Sequence, residues 1–343
     1  MRRSFPSVKT ACAVLCAGLI GSGVAHAKLE EMNDSELSDV TGQAFINLTA
    51  DAANGLNFTR VNFGLDVQTQ LNIQKLRLGG YERGGEAAGT ADIDINNFAL
   101  GSVNDESGKV DPFRIKNPFL ELAYSGNKVV GVRMGFGEAQ GYLSGDINRI
   151  TGNIAVDLYG KGSYLASQMD CGWDPVCGLA KALVGGAWSN SDFGASAELV
   201  NSAGARDPVR STMIGMVNDQ SLSMPGSSSF NNFLLGIFKS SNCELLSVKT
   251  CFPLANYGTF PIGKLEGSNF TQAAKGIFLS MQTQNVQWRD QQNPNDFVTA
   301  LAGAFMNIPR NADGSAAIRT SFQEAFNGIP RKDTCFGAAS GGC

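Results

Sequence analysis

What this chain lacks narrows its chemistry first. Of its 343 residues one is histidine, His26, and that one lies inside a candidate export signal, so the exported chain would carry none. Without imidazole there is no Ser-His-Asp or Cys-His catalysis, no histidine metal ligand and no ready pH switch near neutrality. Zinc is poorly served too, because no two cysteines stand in C-x-x-C spacing and no histidine could complete a site. No G-x-S-x-G elbow, Walker loop or dinucleotide fingerprint occurs, so no cofactor is expected. Basic runs are also missing. The 27 basic against 31 acidic side chains give a net charge of −4, and losing Arg2, Arg3 and Lys9 with residues 1–27 would make it −7. Nucleic acid and anionic membrane surfaces are therefore excluded as expected partners. No apolar run reaches the roughly 20 residues that a membrane-crossing helix needs, so no transmembrane segment is expected. Six Tyr and three Trp are few for the two aromatic girdles of an outer-membrane barrel.

What is present begins with the export signal. Arg2, Arg3 and Lys9 precede an apolar stretch, Ala11 to Ile20, and then the small residues up to Ala25-His26-Ala27. That order is a secretory signal peptide over 1–27, with Lys28 as the new N-terminus. Two cysteines, Cys12 and Cys16, leave with it. The other six fall in close pairs, Cys171/Cys177, Cys243/Cys251 and Cys335/Cys343. Six cysteines allow 15 connectivities, and local pairing is favoured because each pair brackets a short stretch in an oxidising compartment.

Residues 28–42 read as a short helix, with Leu29, Met32 and Val40 at helical spacing and Gly42 at the stop. From residue 43 to 160 the period becomes two, as in Val61, Phe63, Leu65 and Val67, which predicts half-buried strands and a β domain. A turn at Ser125-Gly126-Asn127-Lys128 predicts a hairpin. In its second strand Gly131, Arg133 and Gly135 share a face that glycine leaves flat, which makes that face the candidate contact surface for another backbone layer, a ligand or a partner subunit. Turn-like Ser144-Gly145-Asp146 and Thr151-Gly152-Asn153 suggest a β-meander over 141–160. Residues 161–260 hold four of the six cysteines and helical stretches at 177–188 and 231–238, and read as a cysteine-containing insertion or subdomain. Residues 261–343 return to strands, including a long candidate from Gly276 to Trp288, and complete the β domain with a tail closed by Cys335 and Cys343. Ala304–Arg310 and Ala325–Arg331 echo each other, and both end in Ile-Pro-Arg. The expected fold is all-β, mainly an antiparallel sandwich or meander, with a short N-terminal helix and a small disulfide-pinned insertion that contains helices.

Several motifs fall short of chemistry. Asp92-x-Asp94-x-Asn96 lacks the glycine and the closing glutamate of a calcium loop, since Asn97 and Val103 stand there. It reads as a strand with acidic outward positions. Asp105, Glu106 and Asp111 lie in a loop-like stretch, where a carboxylate pair for glycan hydrolysis is the minor reading. Together, Met32–Gln43, Asn117–Tyr124, Gly141–Ile147, Lys275–Ser280 and the Ile-Pro-Arg ends resemble the FilA-like pilus-system proteins of gammaproteobacteria. The resemblance implies a cell-surface appendage or its assembly, but no residue with a chemical role. The functional expectation is thus a non-enzymatic protein, exported to the periplasm, outer-membrane surface or cell exterior, with surface or pilus-assembly proteins as partners. A carrier of lipid or another apolar ligand is the alternative, and a carboxylate-dependent glycan hydrolase the second alternative.

Overall fold

Hydrogen-bond pairing joins most strands of the chain into one sixteen-stranded sheet. The computed structural model describes residues 46–104 and 109–332, all within the unit Ala44–Cys343. The expected signal peptide, the helix at 28–42 and the pair Cys335/Cys343 lie outside the described residues.

In the first part of the chain, β1 (Ile46–Ala53) and β2 (Leu56–Phe63) form an edge hairpin, followed by β3 (Asp66–Thr69), β4 (Leu71–Leu78) and β5 (Ile93–Leu100). Asn54 and Gly55, with φ of 52° and 78°, turn the first hairpin as the I′ geometry requires. Next come β6 (Phe113–Ser125) and β7 (Lys128–Ile150), the latter 23 residues long. Their two-residue turn places Gly126 at φ 58°, so the expected hairpin is present. Along its first half β7 lies between β6 and a strand from residues 278–282; along its second half it lies between β5 and a strand from 259–262. Ser144-Gly145-Asp146 is therefore no turn, because pairing to both neighbours carries the strand straight through it.

After β7 the chain continues as β8 (Gly152–Ile154) and β9 (Val156–Lys161). Then come α1 (Gly162–Gln168), α2 (Pro175–Ala182), β10 (Asp192–Val200), β11 (Met213–Gly215), α3 (Ser229–Ile237), β12 (Cys251–Pro253) and β13 (Thr259–Ile262). Residues 161–260 thus hold three α-helices and both described disulfides, and they also give β10, β11, β12 and the start of β13 to the main sheet. Each α-helix is nine residues or shorter, and α2 runs on into a π-helical turn over Leu183–Ala187. α2 begins on Asp174, whose carboxylate accepts from the Val176 and Cys177 amides, and α3 begins on Ser228 in the same manner.

The last third supplies β14 (Phe278–Gln282), β15 (Val286–Arg289), β16 (Phe297–Ala300), β17 (Gly303–Ile308), β18 (Ile318–Ser321) and α4 (Phe322–Asn327). The long strand expected over 276–288 is in fact two. β14 stays in the main sheet, while β15 leaves it after Thr283 and pairs with β16 in a separate hairpin. This division explains the mixed faces of that segment, since its halves face different neighbours. The Ile-Pro-Arg echo covers unlike elements: the first copy ends β17, the second follows α4, which a Ser321/Glu324 capping box starts.

Burial divides into a main cluster around the second half of β7, with Ile93, Ile147, Ile154, Phe260 and Ile318, and a smaller one between the first half of β7 and the β15–β16 hairpin. With strands dominant and helices few and short, the fold is all-β.

Candidate functional site

Register places the side chains of the first half of β7 in cross-strand rows. One row runs Thr49, Arg60, Glu121, Arg133, Ser280, Phe305 over β1, β2, β6, β7, β14 and β17. Side chains alternate across a pleated sheet, so this row shares a face with Gly131 and Gly135. That face is interior. Arg133 is 0% exposed, its Nε donates to Glu121 Oε2 at 2.7 Å and its Nη1 to the Arg289 carbonyl at 2.9 Å. The rings of Trp288, Phe278 and Phe119 lie 4.9, 5.1 and 5.3 Å from its guanidinium carbon. Burial lowers the Arg133 pKa to about 10, against the Glu121 carboxylate, which raises it. The glycines serve the same packing. A Cβ on Gly131 would stand 3.0 Å from Trp288, and one on Gly135 2.2 Å from Phe119. The expected contact face of Gly131, Arg133 and Gly135 is thus corrected: this chain's own β15–β16 hairpin covers Gly131 and Arg133, and Gly135 makes room for the Phe119 ring of β6.

The opposite face of the same strands is open. Its rows run Leu48, Val61, Leu120, Met134, Leu279, Met306 and Ala50, Thr59, Leu122, Val132, Met281, Ala304. None of these twelve side chains carries a charge. Leu48 is 68% exposed, Met281 50%, Met134 48% and Leu120 39%. Toward the far end the row becomes core, with Leu279 packed on the main cluster and Met306 buried. Among the described residues nothing covers this face, which continues the hydrophobic interior. At its edge Val129, Val132, Met281, Ala304, Gly79 and Tyr81 line a groove of about 550 Å³, where the buried Gln282 keeps a side-chain oxygen without a partner among the described residues.

Carboxylates are engaged elsewhere. Asp92, expected to point outward, is 0% exposed. Its Oδ1 accepts from Arg210 Nε at 3.0 Å and pairs with Arg83 at 3.3 Å, and its Oδ2 accepts from the Ala304 amide at 2.9 Å. Arg210 also donates to Thr90 and to the Gly79 and Tyr81 carbonyls, so the pair clasps the loop 79–92 to β17. Sequence reasoning missed Arg210, which carries no periodic signal and sits 118 residues from its partner. Glu121 is held the same way by Arg133 and Arg60. Asp105 and Glu106 lie outside the described residues.

The disulfides join Cys171 to Cys177 and Cys243 to Cys251, with Cα separations of 5.2 and 5.0 Å. The first fixes the start of α2, whose Cys177 is fully buried; the second ties β12 to the loop before it. Between α1, α2, α3 and the sheet an enclosed apolar cavity of about 40 Å³ is lined by Leu158, Leu165, Val184, Leu235 and Phe252. Ligand pockets are nearer roughly 300–1,000 Å³. No helix among the described residues is long and apolar enough to cross a membrane.

Comparison with known proteins adds one similarity. A family of unknown function, DUF6160, matches residues 7–108. The match spans under a third of the chain, including Leu48 and Val61 of the open face but neither Leu120 nor Met134. No curated protein and no solved structure matches the chain.

Proposed function

We propose that this chain is an exported, non-enzymatic accessory protein of the cell surface or a pilus system, acting through protein–protein contacts. The observation that carries this reading is the uncharged, uncovered face around Leu120 and Met134, since exposed contiguous apolar surface marks interaction sites. Two disulfides suit an oxidising compartment, and the resemblance to FilA-like proteins points to the envelope. The test is a Leu120→Lys, Met134→Lys double variant, scored by co-purification with the cell envelope. Loss of association with an unchanged melting temperature supports the reading; undiminished association overturns it.

One observation favours a second reading, a carrier of lipid or another apolar ligand: the groove of about 550 Å³ beside Met281 falls in the size range of ligand pockets. Native mass spectrometry of the purified protein separates the two. An adduct of lipid mass that Met281→Lys abolishes would favour the carrier.

A further inference from the structure

We infer that the open face of β1, β2, β6, β7 and β14 is closed by the same face of a second copy of this chain, in a two-fold sheet-on-sheet dimer. The inference rests on the contact reading above and names the partner. Three observations lead there. The first is chemical: a two-fold contact sets each residue against surfaces of its own kind. The rows Leu48–Met306 and Ala50–Ala304 hold no charge that would repel itself. An anionic bilayer fits less well, because the chain is acidic overall at −4 and the face offers no lysine or arginine to lipid headgroups.

The second is size. Five strands at about 4.8 Å spacing, taken over roughly six residues, span on the order of 500 Å² of plane. Two copies would cover about 1,000 Å² before side-chain relief is counted, which reaches the lower bound of a specific interface. The third is shape. The face is a regular pleat of Leu, Val, Met and Ala, continuous at Leu279 with the main core. Two such pleats stack at about 10 Å with their strands offset by about 30°. The dimer completes for this half of the sheet what the β15–β16 hairpin supplies on its other side.

Leu120 and Met134 lie near the middle of the patch, so charge there faces its own copy across the axis. The experiment is sedimentation velocity on the protein purified from the full chain, for the parent, Met134→Lys, Met134→Glu and an equimolar mixture of the two variants. The parent is expected to sediment as a dimer at micromolar concentration. Each variant should weaken association roughly 100-fold or more, since like charges then face each other in an apolar interface. The mixture should recover dimer, because Lys then meets Glu, and a folding defect would show no such rescue. The two variants should melt alike, the position being 48% exposed, and the parent should exceed them only by what dimerisation adds at the concentration used.

A parent that stays monomeric overturns the dimer, as does a dimer that both variants leave intact. If the monomeric parent instead floats with neutral lipid vesicles and Met134→Lys does not, the occupant is lipid. If the parent is monomeric yet envelope association still requires Leu120 and Met134, the dimer fails while the contact function stands.

Discussion

Replacing Glu121 by Leu probes the interior layer directly. Glu121 accepts from Arg133 and Arg60, and Arg60, with 23% of its side chain exposed, can turn to solvent when the carboxylate is gone. Arg133 cannot. It lies at 0% exposure beneath Trp288, and its remaining contacts are the Arg289 carbonyl and three ring faces. Breaking a buried pair on one side costs about 3–5 kcal/mol, a large part of the roughly 5–15 kcal/mol that holds a domain folded. With a urea slope of about 3 kcal/mol per molar, the midpoint should fall by about 1–1.7 M. Removing both charges, as Glu121→Leu with Arg133→Met, should recover most of that loss, because apolar groups of similar volume replace a buried pair at little net cost. The assay is equilibrium urea unfolding followed by tryptophan fluorescence, to which Trp173, Trp188 and Trp288 contribute. A single variant that loses under about 1 kcal/mol, or a double variant no more stable than the single, refutes the account of Arg133 as a cation held by Glu121.

Gly135→Ala places a Cβ 2.2 Å from Phe119 Cζ, so overpacking should lower stability by about 1–3 kcal/mol in the same assay. The phenol of Tyr257 is buried and its pKa is raised by desolvation above the ordinary 10.0. Folding thus holds it neutral, and the stability this contributes is complete below pH 10 and lost as pH rises beyond it. The parent should therefore lose melting temperature relative to Tyr257→Phe only above about pH 10; a constant difference across pH would contradict this. Removing Cys243 and Cys251 together, by Ala, should cost about 2.5 kcal/mol in the chain-entropy account of so short a loop, measured by urea unfolding.

The sequence carried the class of fold because alternation survives wherever one face of a strand is buried, as in β2 and β5. The hairpin at Gly126 and the helices near Cys177 and Asn231 were legible from local turn and cap chemistry. Asn54-Gly55, the strongest short hairpin signal in the chain, could have located the edge of the open face. What sequence could not supply was which side of β7 is covered. Glycine at 131 and 135 signals close approach by something, yet at 135 it is the cross-strand ring of Phe119 and at 131 it is Trp288, more than 150 residues away. Nothing along the chain marks the arginine at 133 as buried, and only the register with Glu121 shows why a cation is interior. Asp92 misled for the same reason, since its alternation matches an outward strand position while its partner Arg210 lies in an irregular loop. The open face was hidden by its composition, because Leu120, Leu122, Val132 and Met134 look like core in any one-dimensional reading.

The length of β7 imposes an order of events on a chain that emerges from its N-terminus. Its pairing with β6 across the Gly126 turn is local and can form as soon as residue 150 is available. The strands that complete its other edge, β13 and β14, begin only at Thr259 and Phe278. Throughout the intervening hundred residues of synthesis, half of the ladder groups on the 23-residue strand stand unpaired beside bare apolar side chains. Long-range pairing of this kind is slow and exposed to aggregation. The waiting interval, rather than the finished sheet, is where this chain is most exposed to aggregation.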